Sequence, residues 1–189
     1  MPEVIRSFIA FDLDNDAVRE KIANVQNLLV KTSADLKLVE AKNIHITLRF
    51  LGNISPNTVE RIYEEMQKVQ FVPFDAKLYG LGAFPNPRYP RVVWVGITQG
   101  AEQLRGIFSQ LEPRLQRLGF TPDPKGFSPH LTISRVKSGR NKAELATFLS
   151  ANASYEFGII NAKCLRLKRS DLTPKGPIYS TLKEFCPQK

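Results

Sequence analysis

The sequence is poor in the residues that most often build metal sites and disulfide frameworks. Its 189 residues include two histidines and two cysteines. Cys164 and Cys186 fit no zinc spacing, and two histidines do not complete a site with them at the usual offsets. A chain of this size needs no disulfide to fold. The expectation is a buried Cys164 within a strand and a Cys186 near a loose C-terminus. No apolar run approaches the ~18 residues of a membrane span. The N-terminus has no basic segment leading into a long apolar one, and Asp12 and Asp14 interrupt it early. No targeting peptide and no membrane contact are therefore expected, and the cytoplasm is the expected compartment. A Gly-rich phosphate loop and a nucleotidyl-lysine motif are both missing, so ATP use is not expected. Low-complexity segments and compositional linkers are missing too, so residues 1–189 are expected to form a single domain. No metal, no cofactor and no obligate protein partner is implied.

What the chain has in excess is positive charge: 27 Lys and Arg against 18 Asp and Glu, a net +9. A surplus of this size in a domain of otherwise ordinary composition favours a polyanionic partner, with nucleic acid or nucleotide first. Both histidines sit in one frame. His45-Ile46-Thr47-Leu48 and His130-Leu131-Thr132-Ile133 each read His, apolar, Thr, apolar. Strand side chains alternate between faces, so each His shares a face with its Thr. Strict alternation puts Ile46, Leu48 and Phe50 on the opposite face of the first strand, and Leu131 and Ile133 on that of the second. The arrangement holds an imidazole and a hydroxyl in fixed relation in front of an apolar backing. A neutral and a protonated imidazole can coexist near pH 7, which suits general base and general acid roles in one reaction.

Period and punctuation supply the rest. Residues 4–13, 36–40, 43–52, 92–98, 130–137, 155–160, 162–169 and 178–185 read as strands, and 71–84 as one or two more. Residues 17–31, 56–69, 101–118 and 141–151 read as helices, the second opened by Ser55 as cap and Pro56 at the first helical position. Residues 85–91 form a proline-stiffened loop that carries Arg88 and Arg91. A weak echo, motif strand then break then amphipathic helix, suggests two related lobes. Alternating strands and helices alone would also admit a doubly wound parallel sheet.

Paired His-x-Thr strands some eighty residues apart resemble the 2H phosphoesterase superfamily, in particular the RNA 2′,3′-cyclic phosphodiesterases, also called 2′-5′ RNA ligase-like proteins. Residues 6–13, 43–52, 84–88, 91–96, 127–135, 170–172 and 176–179 all read like that family, in order. The resemblance implies a bilobal α+β fold with two antiparallel sheets facing a central cleft, helices outside and a pseudo-twofold axis. It implies hydrolysis of RNA or nucleotide ends carrying a 2′,3′-cyclic phosphate, tRNA-like fragments among them, to 2′-phosphates. His45 would be the proton donor and His130 the proton acceptor, with Thr47, Thr132 and Arg135 on the phosphate. Alternation places Arg135 on the face opposite His130, so the resemblance also requires a bulge in that strand. Phe11 and Tyr179 are base-stacking candidates, and Arg88 and Arg91 are candidates for the RNA backbone. Reverse joining of such an end to a 5′-hydroxyl, without ATP, would follow. Competing expectations are a phosphodiesterase for small cyclic nucleotides such as ADP-ribose 1″,2″-cyclic phosphate, and an RNA-binding module without catalysis.

Overall fold

Local signals set the helices. Asn15 Oδ1 accepts the Val18 N–H and caps the first helix, while Ser55-Pro56 opens the second. The computed structural model describes residues 3–188. Strand β1 (Ile5–Asp12) leads to α1 (Asp16–Lys31), β2 (Leu36–Leu38) and β3 (His45–Ile54). Then come α2 (Pro56–Met66), β4 (Phe74–Phe84), β5 (Val92–Ile97), α3 (Ala101–Arg117) and β6 (His130–Val136). The chain continues through α4 (Lys142–Ala151), β7 (Glu156–Ala162), β8 (Leu165–Thr173) and β9 (Gly176–Phe185).

The expected pair of antiparallel sheets is present as the two halves of one sheet, in the order β7-β4-β5-β6-β3-β1-β8-β9, with β2 also on β6. The halves meet at β6 and β3, the two motif strands, through the pair Ile46 and Leu131. Outward from that seam the halves match: β6, β5, β4, β7 on one side and β3, β1, β8, β9 on the other. The chain passes repeatedly between them. Helix α1, which follows β1, packs beneath β6 and β7, whereas α3, which follows β5, packs with α2 and beneath β3. This interleaving is why no linker is visible in the composition. The helices cover the apolar side of the sheet, where Ile9, Phe11, Ile46, Leu131 and Ile133 share one buried cluster.

Ion pairing ties the first motif strand to the helical layer. The Arg49 side chain, one-tenth exposed, donates to Glu112 of α3 at 2.5 Å and to the Thr121 carbonyl. Such a pair is hydrogen-bonded throughout, as a nearly buried charge must be.

The cysteines depart from expectation. Cys164 lies outside any strand, in the short connection between β7 and β8, and is disulfide-bonded to Cys186. The cause is register. Leu165 and Phe185 are cross-strand partners in the β8–β9 hairpin, so the next residues outward, 164 and 186, fall opposite each other. Among the described residues no cysteine is free, and no helix is long and apolar enough to cross a membrane. The bridge closes a loop with a sequence separation of 22, for which chain entropy gives roughly 3 kcal/mol of stabilisation. Cys186→Ser, or reduction with dithiothreitol, should lower the unfolding free energy in urea by about that amount. An unchanged transition midpoint would show that the bridge does not contribute.

Candidate active site

The seam fixes the motif residues relative to one another. The Ile46–Leu131 pair is antiparallel. One step to either side, His45 therefore falls opposite Thr132, and Thr47 opposite His130. Ile46 and Leu131 point into the core, both fully buried. The four polar side chains point the other way and line a cavity of about 590 Å³.

Both rings are held alike. His45 Nδ1 donates to the Asn43 carbonyl at 2.7 Å, and His130 Nδ1 donates to the Ser128 carbonyl at 2.7 Å. A carbonyl only accepts, so Nδ1 carries a proton in each ring and Nε2 is left to exchange one. Asn43 is itself fixed, because its side-chain amide donates to the Pro177 carbonyl of β9 at 3.0 Å. Phe8 stacks on His45 with ring centroids 4.7 Å apart, Tyr179 meets His45 edge-on at 5.3 Å, and Phe84 meets His130 edge-on at 4.9 Å. Burial pushes both imidazole pKa values below the usual histidine range, and the backbone hydrogen bonds partly oppose this. The surroundings differ in one respect. The Asp12 carboxylate favours the protonated form of His45, against Lys168 and His130, while no carboxylate acts on His130 in that way.

Each motif strand carries a bulge immediately after its Thr. Along β1–β3 the partners step from Ala10–Thr47 to Ile9–Arg49, which leaves Leu48 as the extra residue. Along β5–β6 they step from Trp94–Thr132 to Val93–Ser134, which leaves Ile133. An extra residue reverses which face the following side chains take. Two positions are redirected by it. Arg135 joins His130 and Thr132 in the cavity lining, as the resemblance required. Phe50, expected on the buried face, is instead 60% exposed and lines the cavity with His45 and Thr47. Phe50 and Arg135 hold the same place in the two strands, five residues after each His. The bulge in β6 is supported from below. Buried Gln26 of α1 donates to the Ile133 and Val39 carbonyls, both at 2.8 Å.

The other expected residues fall on both sides of the boundary. Tyr179 lines the cavity, where burial raises its phenol pKa and the nearby cations Arg135 and Arg6 lower it. Phe11 does not: it is 1% exposed and packs edge-on against Phe71 and Phe74 in the core. It alternates with Phe8, Ala10 and Asp12, so the aromatic of this strand that meets His45 is Phe8. Arg88 and Arg91 also lie outside the lining, on the exposed loop beyond β4. The lining cations besides Arg135 are Arg6, Lys37 and Lys175. Their only acidic neighbour in the lining is Glu40, which pairs with Lys42 at 3.0 Å. Composition announced such charges but gave them no position. A basic cavity with two imidazoles and two hydroxyls at its floor is suited to an anion whose charge grows during reaction. A second, shallower groove of about 530 Å³ between α1 and α4 offers Glu144 and Lys31 but no imidazole. The one cluster of three potential metal ligands among the described residues is Cys164, Glu184 and Cys186, which includes the disulfide.

Because Gln26 holds two carbonyls at the bulge, Gln26→Ala should cost about 2 kcal/mol of stability by urea unfolding. A cost within a few tenths would show that the bulge holds without it.

Comparison with known proteins agrees with this geometry. The family profile for LigT like phosphoesterases matches twice, at residues 13–94 and 95–179, and each stretch contains one His-x-Thr. The RNA 2′,3′-cyclic phosphodiesterase of Aeropyrum pernix is 42% identical over 164 residues, covering 87% of this chain and 93% of its own. That of Archaeoglobus fulgidus is 42% identical over 181 residues, covering 96% and 99%. Among solved structures, TT0787 of Thermus thermophilus superposes with a TM-score of 0.79 at 26% identity, covering 96% and 97%. Escherichia coli LigT complexed with 3′-AMP shares the fold, with a TM-score of 0.80 at 23% identity and coverage of 99% and 100%. The chain belongs to the LigT-like, or 2H, phosphoesterases, the family of the RNA 2′,3′-cyclic phosphodiesterases.

Proposed function

We propose that this protein hydrolyses 2′,3′-cyclic phosphate ends of RNA to 2′-phosphates, by proton transfer between two histidines. The observation that carries the proposal is the antiparallel seam, across which two imidazoles and two hydroxyls line one cavity. Its support from relatives is the activity named for the Aeropyrum and Archaeoglobus proteins.

The cyclic phosphate lies over the seam. Neutral His130 takes a proton at Nε2 from a water as its oxygen attacks phosphorus. The bond from phosphorus to the 3′ oxygen breaks, and protonated His45 gives that oxygen its proton. The phosphate stays on the 2′ oxygen, and each ring ends in the protonation state the other began with. This direction follows the resemblance to the family; at His45 burial has the largest influence and opposes the imidazolium, as Lys168 and His130 do, while the Asn43 carbonyl and the Asp12 carboxylate favour it. The Thr47 and Thr132 hydroxyls and the Arg135 guanidinium meet the non-bridging oxygens, where charge develops. With a 5′-hydroxyl in place of water as the nucleophile, the same path joins two RNA ends through a 2′-5′ linkage and needs no nucleotide. The two halves of the sheet act as one catalytic unit, since neither holds both rings. No step calls for a metal, and activity should survive EDTA. RNA as substrate also accords with a cytoplasmic location.

Three outcomes are expected. His45→Asn and His130→Asn should each lose at least about a hundredfold in kcat, and the double variant should be little worse than either. The product should be a 2′-phosphate by phosphorus NMR; a 3′-phosphate would overturn the assigned leaving group. The pH profile of kcat/KM should be bell-shaped. Burial lowers both pKa values, so the base stays active to more acidic pH and the acid is lost earlier as pH rises. The maximum should therefore lie on the acid side of ~6.5, the free imidazole value. A maximum well above it would contradict the proposed protonation states.

A further inference from the structure

The net charge of +9 is not spread evenly. On the helical face, Arg114, Arg117 and Lys68 share Glu65, and Arg105 pairs with Glu102. On β8, Arg166, Lys168 and Arg169 are paired with Asp12, Asp14, Glu184, Asp171 and Glu3. One region differs. Arg88, Arg91, Lys137, Arg140 and Lys142 are all exposed, and among the described residues none of them takes part in an ion pair.

Arg88, Arg91, Lys137 and Lys142 belong to one stretch of surface, and Arg140, between the last two in the chain, donates to the Ser33 carbonyl at 3.1 Å. The Val136 N–H donates to the Arg91 carbonyl at 2.9 Å, which places the end of β6 beside the start of β5. Lys137 follows directly, and its N–H donates to the Asp35 carbonyl. The Lys142 ammonium sits 4.9 Å from the ring centre of Tyr89, so the loop over residues 85–91 leans against the start of α4. The stretch is continuous with the cavity. Arg135 and Lys37 are cross-strand partners that line it, and Arg135 is two residues from Lys137.

Tyr89, 61% exposed, lies between Arg88 and Arg91 in the chain and against the Lys142 ammonium. Its loop is stiff. Pro85, Pro87 and Pro90 restrict the backbone, Asn86 Oδ1 accepts the Arg88 and Tyr89 N–H groups at 3.0 Å, and the Arg91 N–H donates to the Phe84 carbonyl at 2.7 Å. At the base of the loop, Phe84 touches the His130 ring. A large aromatic held in the open costs little entropy to use on binding. An exposed ring amid unpaired cations is the pairing that single-stranded nucleic acid uses, base on ring and phosphates on cations.

We infer that the surface formed by the 85–91 loop, the end of β6 and the start of α4 binds the single-stranded RNA on the 5′ side of the reacting end, with a base stacked on Tyr89. This rests on the activity proposed above and makes an oligonucleotide, rather than a mononucleotide, the preferred substrate. A cyclic phosphate occupies the last ribose of an RNA, so every other nucleotide extends from the cavity in the 5′ direction.

The test is a length series of cyclic-phosphate RNAs, from mononucleotide to octanucleotide, assayed with wild type, Tyr89→Ala and Lys137→Ala/Lys142→Ala. Wild type should gain at least about tenfold in kcat/KM along the series, and should lose that gain when the RNA is base-paired to its end. Each variant should lose most of the gain and show a shallower salt dependence with the octanucleotide. Turnover of the cyclic mononucleotide should be unchanged. No gain with length in wild type, an undiminished gain in both variants, or an equal loss on the mononucleotide would overturn the assignment. Should wild type turn over none of the series, the activity proposal fails by itself. Fluorescence anisotropy with a 2′-phosphate octanucleotide then decides the surface: weaker binding by both variants sustains it, and equal binding refutes it.

Discussion

A single antiparallel contact, Ile46 against Leu131, governs the rest of the molecule. It joins the two halves of the sheet and sets the phase of everything beside it. A slip of one residue by either strand would turn that strand's histidine into the core and its aliphatic side chain into the cavity. The pair is fully buried, so the same burial that holds the halves together also specifies the register of the site. Stability and chemistry are fixed by one packing decision.

The two bulges refine that decision. By adding a residue after each Thr, they bring into the cavity a side chain that alternation would have hidden. In one strand that side chain is a guanidinium and in the other a phenyl ring. The halves are thus alike in backbone and unlike in what they deliver. The bulge delivers charge at Arg135 in one half and apolar surface at Phe50 in the other, while both halves add cations to the lining, Lys37 on the first and Arg6 and Lys175 on the second. A symmetric frame with asymmetric side chains suits an asymmetric ligand, such as the RNA end proposed above with its phosphate and its base. Asp12 adds to the asymmetry by acting on one imidazole and not the other.

Much of this was legible in the sequence because it is local. Strand alternation, helix caps and the repeated His-x-Thr frame each depend on residues a few positions apart. What escaped depends on pairing. Phe8 and Phe11 are equally plausible in isolation, and only the register of β1 on β3 shows which one meets His45. Alternation alone puts Phe50 on the buried face, because a bulge leaves no mark in a run such as Thr47-Leu48-Arg49-Phe50. The disulfide follows from the β8–β9 register, which a count of cysteines does not contain. Arg6, Lys37 and Lys175 converge from three separate elements, so their meeting has no signature in spacing.

The interleaved path of the chain bears on how the protein comes into being. Strands β1 and β3, which carry Phe8 and His45, lie in the first third of the sequence, and β6 with His130 follows in the second half. The wall that closes the cavity, including Ser170, Lys175 and Tyr179, belongs to β8, β9 and the turn between them. Strand β8 pairs with β1 across some 160 positions, as in Ser7 with Arg169. During synthesis from the N-terminus, both histidines leave the ribosome well before the surface that encloses them, and an unfinished chain has the reactive groups without a chamber. The cavity is therefore complete only once the last hairpin docks onto the first strand.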